Sequence, residues 1–150
     1  MFFKKKIKFN AVFLSCLLLK IFLSYLFTYI SVFFLIDDKT INPFQNDDKK
    51  FIFLTVVFIA PFLETLVFQY IPYHVLKLVK VRNYWLRLFI PTLIFALCHY
   101  YSIMYIFVMF FMGIILNYFY LYCVANRKNA FIWVASLHAV YNLCQFLFMQ

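Results

Sequence analysis

Acidic side chains are scarce in this sequence of 150 residues, which has five Asp and Glu against 14 Lys and Arg. The aspartates all fall within 37–50. Glu64 is therefore the only glutamate, and it lies in the apolar stretch FIAPFLETLVFQYIP at 58–72. A carboxylate is costly to bury in apolar surroundings without a partner. Glu64 is for this reason the first candidate for a functional residue.

Other patterns that would indicate a different class of protein are also missing. The short alternation of apolar and polar residues that marks an outer-membrane barrel is absent. No repeat or low-complexity linker divides the chain, so residues 1–150 are predicted to form a single domain. The cysteines lie in apolar runs without CxxC spacing, which favours packing residues over metal ligands; they are Cys16, Cys98, Cys123 and Cys144.

What the sequence does contain is an unusually large apolar fraction. It is 67% hydrophobic, with 23 Phe and 12 Tyr, which exceeds the share in soluble domains. Several apolar runs approach the roughly 20 residues that cross a bilayer as a helix. We predict an all-α, polytopic transmembrane helix bundle of about five spans, near 11–36, 51–76, 88–101, 102–125 and 131–149. The third and fourth helices are separated at HYYS, and Pro91 is expected in the first turn of the third, where a missing N–H is tolerated.

The net charge of +9 would suggest nucleic-acid binding in a soluble protein, but these basic residues lie mainly between apolar runs. By the positive-inside tendency, the segments 4–8, 77–87 and 127–128 are expected to be cytoplasmic. We therefore predict a multi-pass plasma-membrane protein in contact with lipid, with a cytoplasmic N-terminus, a retained first span and no nucleic-acid partner. The Phe- and Lys-rich, Gly-poor composition is typical of an AT-rich bacterial genome.

Polar residues inside spans are functional candidates by default, and here they converge in depth. Measured from the predicted cytoplasmic ends, Glu64, His99 and Asn142 all lie roughly 17–18 Å deep, with His138 one turn shallower. His138 and Asn142 share a helix face, as do Phe95 and His99, because each pair is spaced i,i+4. Lys20, the one basic residue in the middle of another span, is expected at a different depth.

Two chemistries fit this set of side chains. A carboxylate, two imidazoles and an amide supply a general base, a proton carrier and oxyanion donors for hydrolysis by water. Alternatively, Glu64, His99 and His138 could hold a divalent metal such as zinc.

Three short motifs carry a resemblance to a known family. ETLVFQ at 64–69, FALCH at 95–99 and HAVYN at 138–142 resemble, in order, the EExxxR, FxxxH and HxxxN motifs of the CPBP family. This family, also called the Abi or CAAX-protease family, contains intramembrane proteases and bacteriocin-immunity proteins. The resemblance covers a motif core of about 51–146 of the chain.

The resemblance implies a role for each matched residue. Glu64 and His99 would activate water, with Phe95 as the first residue of the FxxxH motif, while His138 and Asn142 would stabilise the oxyanion. Thr65 and Gln69 replace the second glutamate and the arginine of the first motif. The negative and the positive charge of the family motif are therefore both missing. The hydroxyl of Thr65 and the amide of Gln69 can still form hydrogen bonds, which gives these two residues a supporting role.

Three functions remain open from the sequence. The leading hypothesis is a CAAX-protease-like endopeptidase, metal-assisted as in a metalloprotease or metal-free, that hydrolyses a membrane-associated peptide or protein. The second is a non-catalytic protein of the same fold, a bacteriocin-immunity factor or a secretion-system scaffold, which Thr65 and Gln69 favour. The third is a proton-coupled transporter that uses Glu64 as the carrier.

Overall fold

Five helices make up the fold of the residues that the computed structural model describes, which are 8–34 and 48–148. We number them α1 to α5: Phe9–Phe33, Lys49–Leu78, Tyr84–Leu97, Ile103–Ala125 and Ala130–Phe148. All except α3 are long and apolar enough to cross a membrane, and the described residues contain no strand. The prediction of an all-α, polytopic helix bundle is confirmed. The basic segment at 4–7 and most of the acidic segment, 37–47, lie outside the described residues.

The third helix differs from its prediction at both ends. The side chain of Asn83 accepts hydrogen bonds from the backbone N–H groups of Trp85 and Leu86, at 2.8 and 3.2 Å, and so caps a helix that begins at Tyr84. Pro91 therefore lies in the interior of α3, where it is buried, and the prediction that it occupies the first turn is wrong. The helix ends at Leu97 rather than at residue 101.

The short length of α3 determines where His99 lies. Its 14 residues span about 21 Å, less than the hydrocarbon thickness of about 30 Å. His99 follows in the turn between α3 and α4, and the side chain of Ser102 accepts a hydrogen bond from the N–H of Tyr105 to begin α4. Because α3 is shorter than the hydrocarbon thickness, the turn is expected at bilayer depth, and the His99 side chain is only 16% exposed.

Helix α4 is the centre of the bundle and packs against α1, α3 and α5. Its side chains contribute much of the buried core, in which Leu116, Phe119 and Cys123 are fully enclosed. One polar contact crosses this core: Asn117 donates to the Thr92 hydroxyl at 3.2 Å, and that hydroxyl donates to the Leu88 carbonyl at 2.7 Å. Both residues are buried, so this chain of bonds ties α3 to α4 where water cannot compete.

Gly113 allows the closest approach between α3 and α4. A Cβ at this position would lie 3.0 Å from Cδ1 of Phe95 and 3.3 Å from Cγ2 of Thr92. The single glycine of the chain therefore occupies a helix contact, as small residues commonly do in membrane bundles. Phe95 is also the residue one turn before His99, so this contact supports the position of the turn.

We expect Gly113→Val to destabilise the protein by about 2–3 kcal/mol, because the added methyl groups overlap Phe95 and Thr92 and force the helices apart. Thermal unfolding in detergent measures the change. The variant Gly113→Val/Phe95→Leu removes part of the overlap and should recover some of the loss. If Gly113→Val unfolds at the wild-type temperature, the close contact does not exist.

Helix α2 contains two wide π-helical turns, Thr55–Ile59 and Leu66–Tyr70, one on each side of Glu64. Each ends two residues before a proline, Pro61 or Pro72. Proline has no N–H and its ring crowds the carbonyl of the preceding turn, so a widened turn accommodates it. Such π-turns are rare and frequently accompany functional sites. Here they set the rotation of the segment that carries Glu64.

Candidate active site

Glu64 lies between two histidines from different parts of the fold. Its Oε2 is 3.7 Å from Nε2 of His138 on α5 and 4.0 Å from Nε2 of His99 in the α3–α4 turn. Both distances exceed those of direct hydrogen bonds. The side chains of Glu64 and His99 remain 24% and 16% exposed, so neither is fully enclosed in the core. The structure thus brings together three of the predicted catalytic residues.

The hydrogen bond at the other nitrogen of His99 defines its tautomer. Nδ1 lies 2.6 Å from the carbonyl oxygen of Phe95, and a carbonyl can only accept, so Nδ1 carries the proton. In the neutral imidazole, Nε2 is then an acceptor that faces the Glu64 carboxylate. A water molecule can donate one hydrogen to each of two acceptors at this separation, with about 2.8 Å to each.

Phe95 holds the His99 ring through packing as well as through its carbonyl. It is 1% exposed, and its ring centroid lies 4.5 Å from that of His99 and 5.4 Å from that of Phe68 on α2. The His138 ring also packs against the Phe95 ring in an edge-to-face arrangement, with 6.5 Å between the ring centroids. The supporting role predicted for Phe95 therefore has a physical basis, which is the orientation of the imidazole.

Asn142 does not contact Glu64 within hydrogen-bond distance; its Nδ2 donates to the carbonyl of Val56 on α2, at 2.8 Å. The π-turn explains why this carbonyl is available. Its usual partner, the N–H of Ala60, bonds instead to Thr55, and the next residue, Pro61, has no N–H. The amide of Asn142 supplies the missing donor and fixes α5 against α2, and its second N–H remains for another acceptor.

The two positions where the chain departs from the family motif are deeply buried. Thr65 is 0% and Gln69 1% exposed. Among the described residues, neither the hydroxyl of Thr65 nor the amide of Gln69 has a hydrogen-bond partner, and the same is true of Nδ1 of His138. The capacity of Thr65 and Gln69 to hydrogen-bond is therefore not used within the described part of the chain.

Two residues that the sequence reasoning left out of the site lie close to it. Lys20 on α1 is 1% exposed, and its Nζ lies 4.2 Å from the ring centroid of Tyr141, the residue before Asn142. The expectation that Lys20 lies at a different depth is therefore wrong. Tyr105, in the first turn of α4, also interacts with Glu64, and its ring lies 6.1 Å from that of His99. The sequence did offer a signal for Lys20, which is a lysine within an apolar run. Nothing in the sequence distinguished Tyr105 from the other tyrosines.

A divalent metal was the alternative chemistry that the sequence left open for Glu64, His99 and His138. Within the described ranges, no three His, Cys, Asp or Glu residues are grouped so that they could hold a metal ion. Glu64 Oε2 is close to Nε2 of both imidazoles, and the bond between His99 Nδ1 and the backbone leaves Nε2 of His99 open.

These features define the class of the protein: a multi-pass membrane protein with a glutamate and two histidines gathered inside a helix bundle. A family model described as type II CAAX prenyl endopeptidase Rce1-like matches residues 47–144, and the chain belongs to this family. The resemblance to the CAAX-protease family is thereby confirmed. No curated protein and no solved structure matches the chain. The match excludes α1, which carries Lys20.

Proposed function

We propose that this protein is an intramembrane endopeptidase that hydrolyses a peptide bond in a membrane-associated peptide or protein. The observation that carries the proposal is the pair of acceptors, Glu64 Oε2 and His99 Nε2, held 4.0 Å apart inside the bundle. Membership of a family of CAAX-type proteases agrees with this chemistry.

In the proposed reaction, a water molecule binds between Glu64 and His99 and donates a hydrogen bond to each. The carboxylate takes a proton as the water oxygen attacks the scissile carbonyl, which is general-base catalysis. The proton then passes to the leaving amine. His99 is suited to orient the water because its Nδ1–H bond to Phe95 keeps Nε2 directed at the site.

The oxyanion that forms on the scissile carbonyl needs donors that are already in place. His138 Nε2 is near Glu64, and the second N–H of Asn142 is not used by Val56. We assign the oxyanion contacts to these two side chains. We propose the metal-free form of the reaction, in which Glu64, His99, His138 and Asn142 supply all of the catalytic groups.

The basic end of the bundle indicates its orientation in the membrane. The direction of the helices places Lys8, at the start of α1, at the same end as the turns 79–83 and 126–129. At this end Lys128 Nζ lies 5.5 Å from the ring of Phe9. By the positive-inside tendency, we assign this end to the cytoplasm of a bacterial cell, with the protein in the plasma membrane.

The proposal is tested with His99→Ala on a panel of membrane-tethered peptides, with and without a chelator. We expect wild type to cleave at least one peptide at a rate that the chelator does not change. The cleavage rate of His99→Ala should be lower by about 10²–10⁴-fold. His74→Ala is the matched control. His74 Nδ1 also contacts the carbonyl oxygen of the residue four positions earlier, Tyr70, at 2.8 Å. Unlike His99, His74 is exposed and lies away from Glu64. Equal activity of the two variants, or loss of activity in the chelator, would contradict the mechanism.

A second candidate, a non-catalytic membrane protein that acts through contacts, is favoured by one observation. Thr65 and Gln69 replace the charged motif residues and are buried without hydrogen-bond partners in the described part of the chain. This candidate predicts that Glu64→Gln leaves the cellular phenotype intact and that wild type cleaves none of the peptides.

A further inference from the structure

The turn between α3 and α4 carries backbone groups that the bundle leaves without hydrogen bonds. Bonding from the end of α3 stops at His99, whose N–H donates to the carbonyl three residues earlier at 3.0 Å. It resumes in α4 with the N–H of Tyr105, which donates to Ser102 Oγ. Among the described residues, the N–H groups of Tyr100, Tyr101 and Ser102 have no hydrogen-bond partner. Three adjacent donors are therefore available to a partner outside the helices.

This turn lies on the surface of the bundle rather than in its core. Tyr100 is 81% exposed, and Cys98 and Tyr101 are exposed as well. Ring contacts hold the turn in place, because the ring of Tyr105 lies 5.4 Å from that of Tyr101 and 6.1 Å from that of His99. The unpaired N–H groups thus belong to a defined turn that faces the surroundings of the protein.

The depth of the turn makes these surroundings a question of lipid or water. Measured from Tyr84 at the basic end, α3 spans about 21 Å of a hydrocarbon layer of about 30 Å, so the turn stops about 9 Å short of the far face. Irregular backbone does not occur in contact with lipid at such depth; it is either buried in protein or lines a water-filled space. Because this turn is not buried, water is the partner that its N–H groups require.

The turn also leads to the proposed active site. His99 belongs to it, and His99 Nε2 lies 4.0 Å from Glu64 Oε2. Exposure decreases step by step along this direction, from 81% for Tyr100 to 16% for the His99 side chain and 7% for the His138 side chain. A molecule that enters from the surface of the turn therefore meets His99 and Glu64 before it meets the core.

We propose that the α3–α4 turn, residues 98–102, is the entrance through which water reaches Glu64 and His99 from the face of the membrane opposite the basic end. The short α3 creates this entrance, because it leaves the upper part of its own position in the bundle to water. This role goes beyond the proposed peptidase function, since the access of water can be measured in a protein that cleaves nothing.

Cys98 is a natural probe of the entrance, because a charged thiol reagent reaches a cysteine only through water. Wild type in sealed lipid vesicles is treated with a charged methanethiosulfonate, and the labelled cysteines are identified by mass spectrometry. We expect Cys98 to react and the buried Cys16 and Cys123 to remain unlabelled. Leu63→Cys/Cys98→Ala is the matched control. Leu63 is also exposed and lies beside Glu64 at the same depth, but on a helical segment. Its helical backbone needs no water, so its labelling should be at least about tenfold slower.

Two further variants show from which face the water enters. Arg82→Cys/Cys98→Ala places a thiol at an exposed position of the basic end, and His99→Cys/Cys98→Ala places one at the position of the imidazole. We expect the charged reagent to label wild-type Cys98 and the His99→Cys variant from one face of the vesicle, and the Arg82→Cys variant from the other face.

Amide exchange in deuterated water gives a reading that needs no substitution. In wild type held in lipid nanodiscs, the N–H groups of residues 100–102 should exchange at least about a hundredfold faster than those in the middle of α3, whose helical bonds protect them. Protection of residues 100–102 equal to that of α3 would overturn the proposed entrance.

Two outcomes of the labelling would also overturn it. The first is a Cys98 that reacts with a lipid-soluble maleimide but not with the charged reagent, because the turn would then face hydrocarbon. The second is labelling of the His99→Cys variant from the basic face alone, because water would then reach the site through the interior of the bundle. A wild type that cleaves no peptide contradicts the proposed peptidase function but leaves both of these measurements decisive for the entrance.

Discussion

Glu64→Gln is expected to lower the rate of peptide cleavage by about 10³-fold or more, within the range that general-base catalysis contributes. The substitution keeps the shape of the side chain but removes the group that accepts a proton from water. The amide also presents an N–H where the carboxylate presented only acceptors, so the water held against His99 Nε2 loses one of its partners. Single-turnover cleavage of the best peptide substrate measures the effect.

A matched control separates this loss from a general effect of removing a negative charge. Asp48→Asn makes the same change from acid to amide at the exposed start of α2, and it should cleave at the wild-type rate. Thermal unfolding should show that Glu64→Gln is folded at the temperature of the assay, so that the lost activity reflects the lost base. Retention of more than a tenth of the activity by Glu64→Gln would show that Glu64 is not the base.

Asn142→Leu is expected to affect both stability and activity. The leucine cannot donate to Val56, whose carbonyl has no helical partner because Ala60 bonds to Thr55 and Pro61 has no N–H. A carbonyl that loses its donor in a part-buried position inside the bundle costs up to about 1–3 kcal/mol. Loss of the second N–H, which we assign to the oxyanion, should slow cleavage by about 10²–10³-fold. Thermal unfolding and cleavage by the folded fraction measure the two effects separately.

The control for this prediction is Asn126→Leu, because Asn126 Nδ2 donates to the Tyr122 carbonyl at the same distance, 2.8 Å. That bond lies at the basic end of α4, where water can replace the lost donor. We expect Asn126→Leu to be destabilised less than Asn142→Leu and to keep its activity. Similar stability losses in the two variants would show that the hydrogen bond from Asn142 to the Val56 carbonyl contributes no more to stability than the bond from Asn126 to the Tyr122 carbonyl.

The helical architecture could be predicted because each apolar run has to satisfy its own backbone hydrogen bonds in lipid. Helices α1, α2, α4 and α5 accordingly begin and end within a few residues of the predicted bounds. The beginning of α3 was missed because it depends on one side chain, Asn83, which caps a helix whose first turns are less apolar than the rest. Pro91 then falls in the helix interior, which membrane helices tolerate because neighbouring groups can satisfy the backbone carbonyl that proline frees.

The choice of site residues followed from the scarcity of polar groups in the apolar runs. Glu64, His99 and His138 stood out because ionisable residues at bilayer depth are rare, and the structure brings these three together. The partner of Asn142 could not be foreseen. The Val56 carbonyl is free only because a π-turn and Pro61 remove its two possible backbone donors, and periodicity does not reveal a π-turn.

The sequence by itself determined that the protein is a membrane helix bundle and which polar residues lie at similar depth, since apolar length and residue count translate directly into position along a helix. Only the tertiary structure decided which of these residues face one another. The rotation of each helix depends on local events, such as the π-turns beside Glu64 and the close contact at Gly113. Lys20 shows the difference most clearly: the depth expected from the sequence excluded it from the site, but the packing of α1 against α5 brings its Nζ to within 4.2 Å of the ring centroid of Tyr141, the residue before Asn142.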